Sequence, residues 1–255
     1  MLLPNPVWLT PDTLDYFAAR QGLRLPATLR PEPIWRDEEE LRALSGQAHA
    51  ELEEQGLLDR GAPSVELVIA LRALCAAEEE CYVYAATKEK QTRLHSGLSG
   101  TDSVIARLVV GEEKIELRDI RADTLIDEIV NNLDPCPPAR EQTITCRAQE
   151  LTQRSSGIAV ERTLTREARR MQALHDPKSR LAVNKIMLAV RDSLGRRHTS
   201  GTRSPVVLDV EPGVRWITYV TGEDNDLYLN ARGADRAVIV EHVGRELSLL
   251  KSQHN

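Results

Sequence analysis

The chain has 255 residues, 41% of them hydrophobic and 4% aromatic, and its 33 Lys and Arg against 39 Asp and Glu leave a net charge of −6. That is enough apolar content to bury a full core, but an acidic chain with a single Phe lacks both the basic face and the stacking rings of a nucleic-acid-binding protein. No stretch approaches the roughly 18 apolar residues of a membrane span, and the opening MLLPNPVWLT has no basic n-region, so a cytoplasmic protein with no membrane partner is expected.

In chain order, residues 6–9 predict a short strand, and Asp12 is placed to cap a helix that reaches Arg20 and stops at Gly22. Leu23 to Pro33 is a Pro-punctuated connector. A second helix starts at Asp37 with Glu40 completing a capping box, and Leu41, Leu44, Ala48 and Leu52 fall on one face before Gly56. A third starts at Ser64 and carries Leu67, Val68, Leu71 and Leu74 on one face. The runs Glu38 to Glu40 and Glu78 to Glu80 read as exposed faces at a helix start and a helix end.

The stretch LVVGEEKIELRDIRADTLIDEIV (Leu108 to Val130) is then matched by TYVTGEDNDLYLNARGADRAVIVEHV (Thr218 to Val243). Gly111-Glu112-Glu113 answers Gly222-Glu223-Asp224, with Asn225 as one extra residue, and the alternating Ile115 and Leu117 answer Leu227 and Leu229. Gly followed by acidic residues between alternating runs is hairpin chemistry. Asp123 and Asp235 are each placed to cap a helix with one apolar face, Leu125, Ile126, Ile129, Val130 and Leu133 in the first copy, Val238, Ile239, Val243, Leu247 and Leu250 in the second. Upstream, RLHSG (Arg93 to Gly97) echoes RRHTSG (Arg196 to Gly201), and before each lies an apolar segment, Cys81 to Thr87 and Leu181 to Val190. Two related ββββα halves, each with an edge that invites pairing, predict an α+β fold in which one central antiparallel β-sheet is built around a pseudo-two-fold axis. The halves are placed at 1–135 and 164–255 of a single domain, joined by a linker, 136–163, that holds a short strand at Thr143 to Cys146. A helix from Arg166 to Leu174, stopped by His175-Asp176-Pro177, opens the second half.

No catalytic constellation emerges. SGLSG (Ser96 to Gly100) lacks the residue that G-x-S-x-G places between Ser and the second Gly, and reads as a strand connection. His175-Asp176 stands alone as a helix stop, with no ligand cluster for a metal. Arg196 to Ser204 gathers three Arg and a His but adjoins no phosphate cradle, and reads as a solvated hairpin loop. The four cysteines, Cys75, Cys81, Cys136 and Cys146, show no C-x-x-C spacing and are expected to be reduced structural thiols. Neither enzyme activity, cofactor nor metal is expected.

Several stretches spread along nearly the whole chain resemble the EspG family of chaperones of actinobacterial type VII (ESX) secretion. LTPDTLDYFAARQGLRLPATLR (Leu9 to Arg30) is similar to the family's opening, and SVIARLVVGEEKIELRDIRADTLIDEIVNNLDP (Ser103 to Pro135) to its central strand–strand–helix. VVLDVEPGVRWITYV (Val206 to Val220) is similar to its late strand pair, and DLYLNARGADRAVIVEHVGREL (Asp226 to Leu247) to its terminal strand and helix. Two departures stand out: Val214 separates Gly213 from Arg215, and the loop Lys88, Glu89, Lys90, Gln91 is shorter than the client-touching loop of mycobacterial members. The resemblance implies helical bundles flanking the sheet. It also implies a cytosolic chaperone that holds the apolar tip of a PE/PPE-like secreted helical heterodimer. The alternative is a non-catalytic scaffold or regulatory module of the same fold without a secretion client. Partner contacts are expected at Lys88, Glu89, Lys90 and Gln91, at Met187, Leu188 and Val190, whose strand alternates so that one face is core and the other either meets the partner or is buried as well, and at Trp216, which is either core or binding surface. A monomer or weak dimer is expected.

Overall fold

The structure, a computed structural model, describes residues 2–3, 6–152, 164–223 and 226–254. The first half opens with β1 (Val7–Leu9), α1 (Pro11–Arg20), α2 (Glu38–Glu54), a small hairpin of β2 (Leu58–Asp59) and β3 (Ala62–Pro63), and α3 (Val65–Cys75). Four consecutive strands follow, β4 (Glu79–Thr87), β5 (Gln91–Ser99), β6 (Asp102–Val109) and β7 (Ile115–Asp119), then α4 (Leu125–Asn131). Beyond them come β8 (Ile144–Arg147), α5 (Ala148–Thr152) and α6 (Arg166–Leu174). The second half continues with β9 (Arg180–Arg191), β10 (Arg197–Thr199), β11 (Val206–Val210), β12 (Val214–Thr221), β13 (Tyr228–Gly233) and α7 (Arg236–His254).

The helix starts follow from local chemistry. Asp37 and Glu40 form the expected capping box, Ser64 caps α3 at 3.2 Å from the Leu67 amide, and Asp235 accepts from the Val238 amide at 2.9 Å. Two expected caps are corrected. Thr10, not Asp12, caps α1, because Pro11 with its fixed φ occupies the first helical position and the residue before it must supply the acceptor. Asp123 lies inside a 3-10 turn (Ala122–Thr124), where Arg121 holds its carboxylate at 2.6 Å and 3.0 Å, and it caps nothing. On α2, Ala48 and Leu52 are buried, but Leu41 is exposed.

Apart from the β2–β3 hairpin, the strands form one antiparallel sheet in the order β1-β7-β6-β5-β4-β9-β11-β12-β13-β8, with β10 also beside β9. At its centre β4 pairs with β9, Cys81 opposite Leu188 and Tyr82 opposite Met187. Outward from that pair, β5, β6 and β7 follow β4 in chain order before α4, and β11, β12 and β13 follow β9 before α7. Two ββββα units joined through their first strands give this order. The upstream echo is not part of it: Arg93 to Gly97 lies inside β5, whereas Arg196 to Gly201 forms β10 and enters a 3-10 turn, and β11 takes the place in the second half that β5 has in the first.

Much of the expected linker is docked. β8 adds an edge strand to β13, with Cys146 opposite Leu229, and the Arg215 amide donates to the Pro137 carbonyl at 2.7 Å. Gly233 permits this close crossing, since a Cβ there would sit 1.9 Å from the Ala139 carbonyl oxygen. The stretch 153–163, with its Ser-Ser-Gly, lies outside the described residues, as does Asn225.

The two faces of the sheet are covered differently. On one, α4 and α7 lie over a single layer that takes Cys81, Val83 and Ile105 from the first half and Ile186, Leu188 and Ile217 from the second. On the other, α1, α2 and α3 cover Val104, Ala106 and Leu117, and α6 covers Ile144, Leu208 and Trp216 in a separate layer.

Candidate functional site

Between those two separate layers the middle of the sheet is left open. Cross-strand neighbours share a face, so the pairs Tyr84 with Arg93, Tyr84 with Lys185, and Tyr82 with Met187 run side by side across β5, β4 and β9. Tyr84 is 41% exposed, Lys185 is exposed, and Arg93 and Met187 are half-buried. Tyr82 and Tyr84 meet edge to face at 6.2 Å. This strip offers two rings, a thioether and two cations, a surface of the kind that receives the apolar end of another protein.

At one end the strip leads into a cavity of about 330 Å³ beneath the connector Arg24 to Arg30. Its floor is a buried polar cluster. Glu80, 3% exposed, accepts from Arg197 Nε at 3.0 Å and Nη2 at 2.6 Å, and Arg191 stands 3.7 Å away. Arg197 also stacks over Tyr82, 5.5 Å from the ring centre. Burial works against the Arg197 charge, but its hydrogen bonds to Glu80 and Tyr82 prevail and lift its pKa above the ordinary value. His95 stacks on Tyr82 at 5.4 Å, shares a 3.0 Å hydrogen bond with the Thr28 hydroxyl, and is held neutral by burial, its pKa falling to about 4. Cys75 in the wall is pushed up to about 12 by burial and stays a thiol. The run Glu78 to Glu80 is therefore not an exposed helix end as expected. Glu79 and Glu80 open β4, and Glu80 points inward to Arg197, its partner from 117 residues away.

The expected contact residues do not come together. Lys88, Glu89 and Lys90 are exposed in the β4–β5 turn and Gln91 is exposed at the start of β5; the Thr87 hydroxyl accepts from the Glu89 and Lys90 amides and Lys90 reaches Asp134 at 3.4 Å. Met187 pairs with Tyr82, five residues before that turn, which is about 16 Å of strand. Leu188, Val190 and Trp216 are corrected: they are 0%, 4% and 1% exposed, the first two under α4 and α7 and the third under α6, and none of them reaches a surface. Tyr84, Arg93 and Lys185 were missed, although the alternation of Cys81 and Val83 with Tyr82 and Tyr84 in one strand carries the signal. Among the described residues no group of three His, Cys, Asp or Glu could hold a metal ion, and no helix is long and apolar enough to cross a membrane.

The model of the EspG family matches residues 10–245. No curated protein matches the chain. Among solved structures, the chain is similar to the Mycobacterium tuberculosis type VII secretion system chaperone EspG5, determined in complex with a PE25–PPE41 dimer, with a TM-score of 0.65 and 16% identity over 94% of this chain and 95% of that one. At that identity the likeness carries the fold.

Proposed function

This chain belongs to the EspG family, and from that membership we propose that it is a cytoplasmic chaperone of type VII secretion, one that binds the apolar tip of a PE/PPE-like helical heterodimer and keeps it from associating before export. The observation that carries this reading is the open strip of Tyr84, Arg93, Lys185 and Met187 between two helix-covered regions of the sheet. The similar EspG5 was determined with such a dimer bound. Holding a partner requires no bond chemistry, and the chain is read as a binding protein rather than an enzyme. A stable complex needs about 800 Å² of contact on each partner, more than the strip alone supplies. The contact is therefore assigned to the strip around Met187, extended to the turn Lys88 to Gln91 at the end of β4.

The test is capture of the tagged chain from its native cytosol, with partners identified by mass spectrometry and the complex sized in solution. Recovery of a small helical secreted pair in equal stoichiometry is the expected result. Failure to recover such a pair, with the pair demonstrably expressed, would leave a scaffold of the same fold without a client.

A further inference from the structure

The cavity beneath the connector has a charge balance that holding a helical tip does not call for. Its volume, about 330 Å³, is at the lower end of small-molecule sites, which span roughly 300–1,000 Å³. Four guanidinium groups, Arg24, Arg30, Arg191 and Arg197, line it against one carboxylate, Glu80, in a chain whose net charge is −6. That carboxylate is already engaged, since both its oxygens accept from Arg197 at 2.6–3.0 Å.

Arg191 is spent on backbone carbonyls, Nε donating to Ala77 at 3.0 Å and Nη2 to Cys75 at 3.3 Å, and Arg30 Nη2 donates to the Leu25 carbonyl, which leaves Arg24 and the Arg30 Nε uncommitted. Arg30 Nε and His95 Nε2 are buried without a hydrogen-bond partner, and Arg24 makes no hydrogen bond or ion pair among the described residues. His95 is almost wholly buried, its Nδ1 lies 3.0 Å from the Thr28 hydroxyl, and its Nε2 faces the Glu80 carboxylate at 3.8 Å, beyond hydrogen-bond distance. Burying an unpaired donor such as the Arg30 Nε costs free energy, and a surplus of cationic donors around a half-open cavity is complementary to a group that accepts from several sides at once.

We propose that this cavity binds a small oxyanion, a molecule whose phosphate or carboxylate group accepts from Arg24 and Arg30, beside the His95 ring, and so ties the connector to the sheet. The volume exceeds that of a bare phosphate and leaves room for an organic portion against Tyr82 and Tyr84, which line the same space. The neutral Cys75 thiol adds no competing negative charge. Because the ligand bridges two elements in the folded state only, binding raises the melting temperature.

The test is calorimetric titration of the full chain with inorganic phosphate and, separately, with citrate, in chloride buffer at fixed ionic strength, with thermal unfolding followed in parallel. Saturable one-site binding of at least one of the two, with a rise in Tm, is expected, and the one that binds tells phosphate from carboxylate chemistry. Arg24→Gln, at an exposed and unpaired position, should keep the ligand-free Tm and weaken binding about tenfold or more, the loss of one charge-assisted hydrogen bond. Arg140→Gln, at an exposed position outside the cavity, should bind as the parent does. No saturable binding by either anion, or equal weakening by the two substitutions, overturns the proposal. Neither result bears on the capture experiment, so the two readings fail separately.

Discussion

One face of the sheet is a single apolar layer running through both halves beneath α4 and α7; the other is covered at its two ends and open between them. Strand β9 belongs to both. Ile186 and Leu188 point into the continuous layer while Lys185 and Met187 look out on the open strip. The pleat lets one strand join the two halves on one side and present a surface on the other, so substitutions a single residue apart should have very different consequences.

The largest effect is expected where the continuous face closes on the docked segment after α4. Asp209 and Arg215 are both buried and bonded at 2.6 Å and 2.7 Å, and Arg215 also donates to the Asp134 carbonyl at 2.6 Å. Asp209→Ala strands a buried guanidinium and should cost about 3–5 kcal/mol, read as a lower urea midpoint. Leu188→Ala should cost about 2–5 kcal/mol by the same measurement, the usual range for a cavity in a packed layer. If it costs less than Met187→Ala, the two faces of β9 have been assigned the wrong way round.

A smaller effect should appear with pH, because His242 on α7 sits buried against Tyr219 at 4.3 Å. Burial first, then the nearby Arg232 and Arg245, hold its pKa down to about 4. Between the ordinary histidine value and pH 4 the unfolded chain takes up a proton that the folded chain refuses, so the stabilisation present above that window is lost as pH falls through it. One such group should remove about 1–2 kcal/mol between pH 7 and pH 5, and His242→Phe should flatten that share of the profile. An unchanged slope would mean that His242 gains a partner when charged.

What was legible in the sequence was local. The Gly111 and Gly222 turns, the Asp37 capping box and the alternation of β9 are carried by residues within a few positions of each other, and all read correctly. The single large antiparallel sheet was expected from the repeat, without its strand order. What was not legible depends on distant neighbours. Alternation says that Ile186, Leu188 and Val190 share a face, but only α4 and α7 decide that this face is covered. Glu80 looks like the last member of an acidic run, and its burial depends on Arg197 in the other half. The cap of α1 moved because the adjacent Pro11 restricts where the helix can begin.

The smallest stability effect is expected on the open strip itself, and there the comparison becomes functional. Lys185→Glu changes an exposed side chain with no ion pair among the described residues, and should shift stability by no more than about 0.5 kcal/mol. Met187→Glu, at a half-buried position, should stay within about 1 kcal/mol. Each should nevertheless weaken capture of a helical partner, Met187→Glu by about tenfold or more, because a charge placed against an apolar tip is desolvated. A melting temperature lowered as far as by Leu188→Ala would put Met187 in the core. Unimpaired capture by a stably folded Met187→Glu protein would move the partner's footprint off the strip, leaving the exposed turn Lys88 to Gln91 as the place to look next.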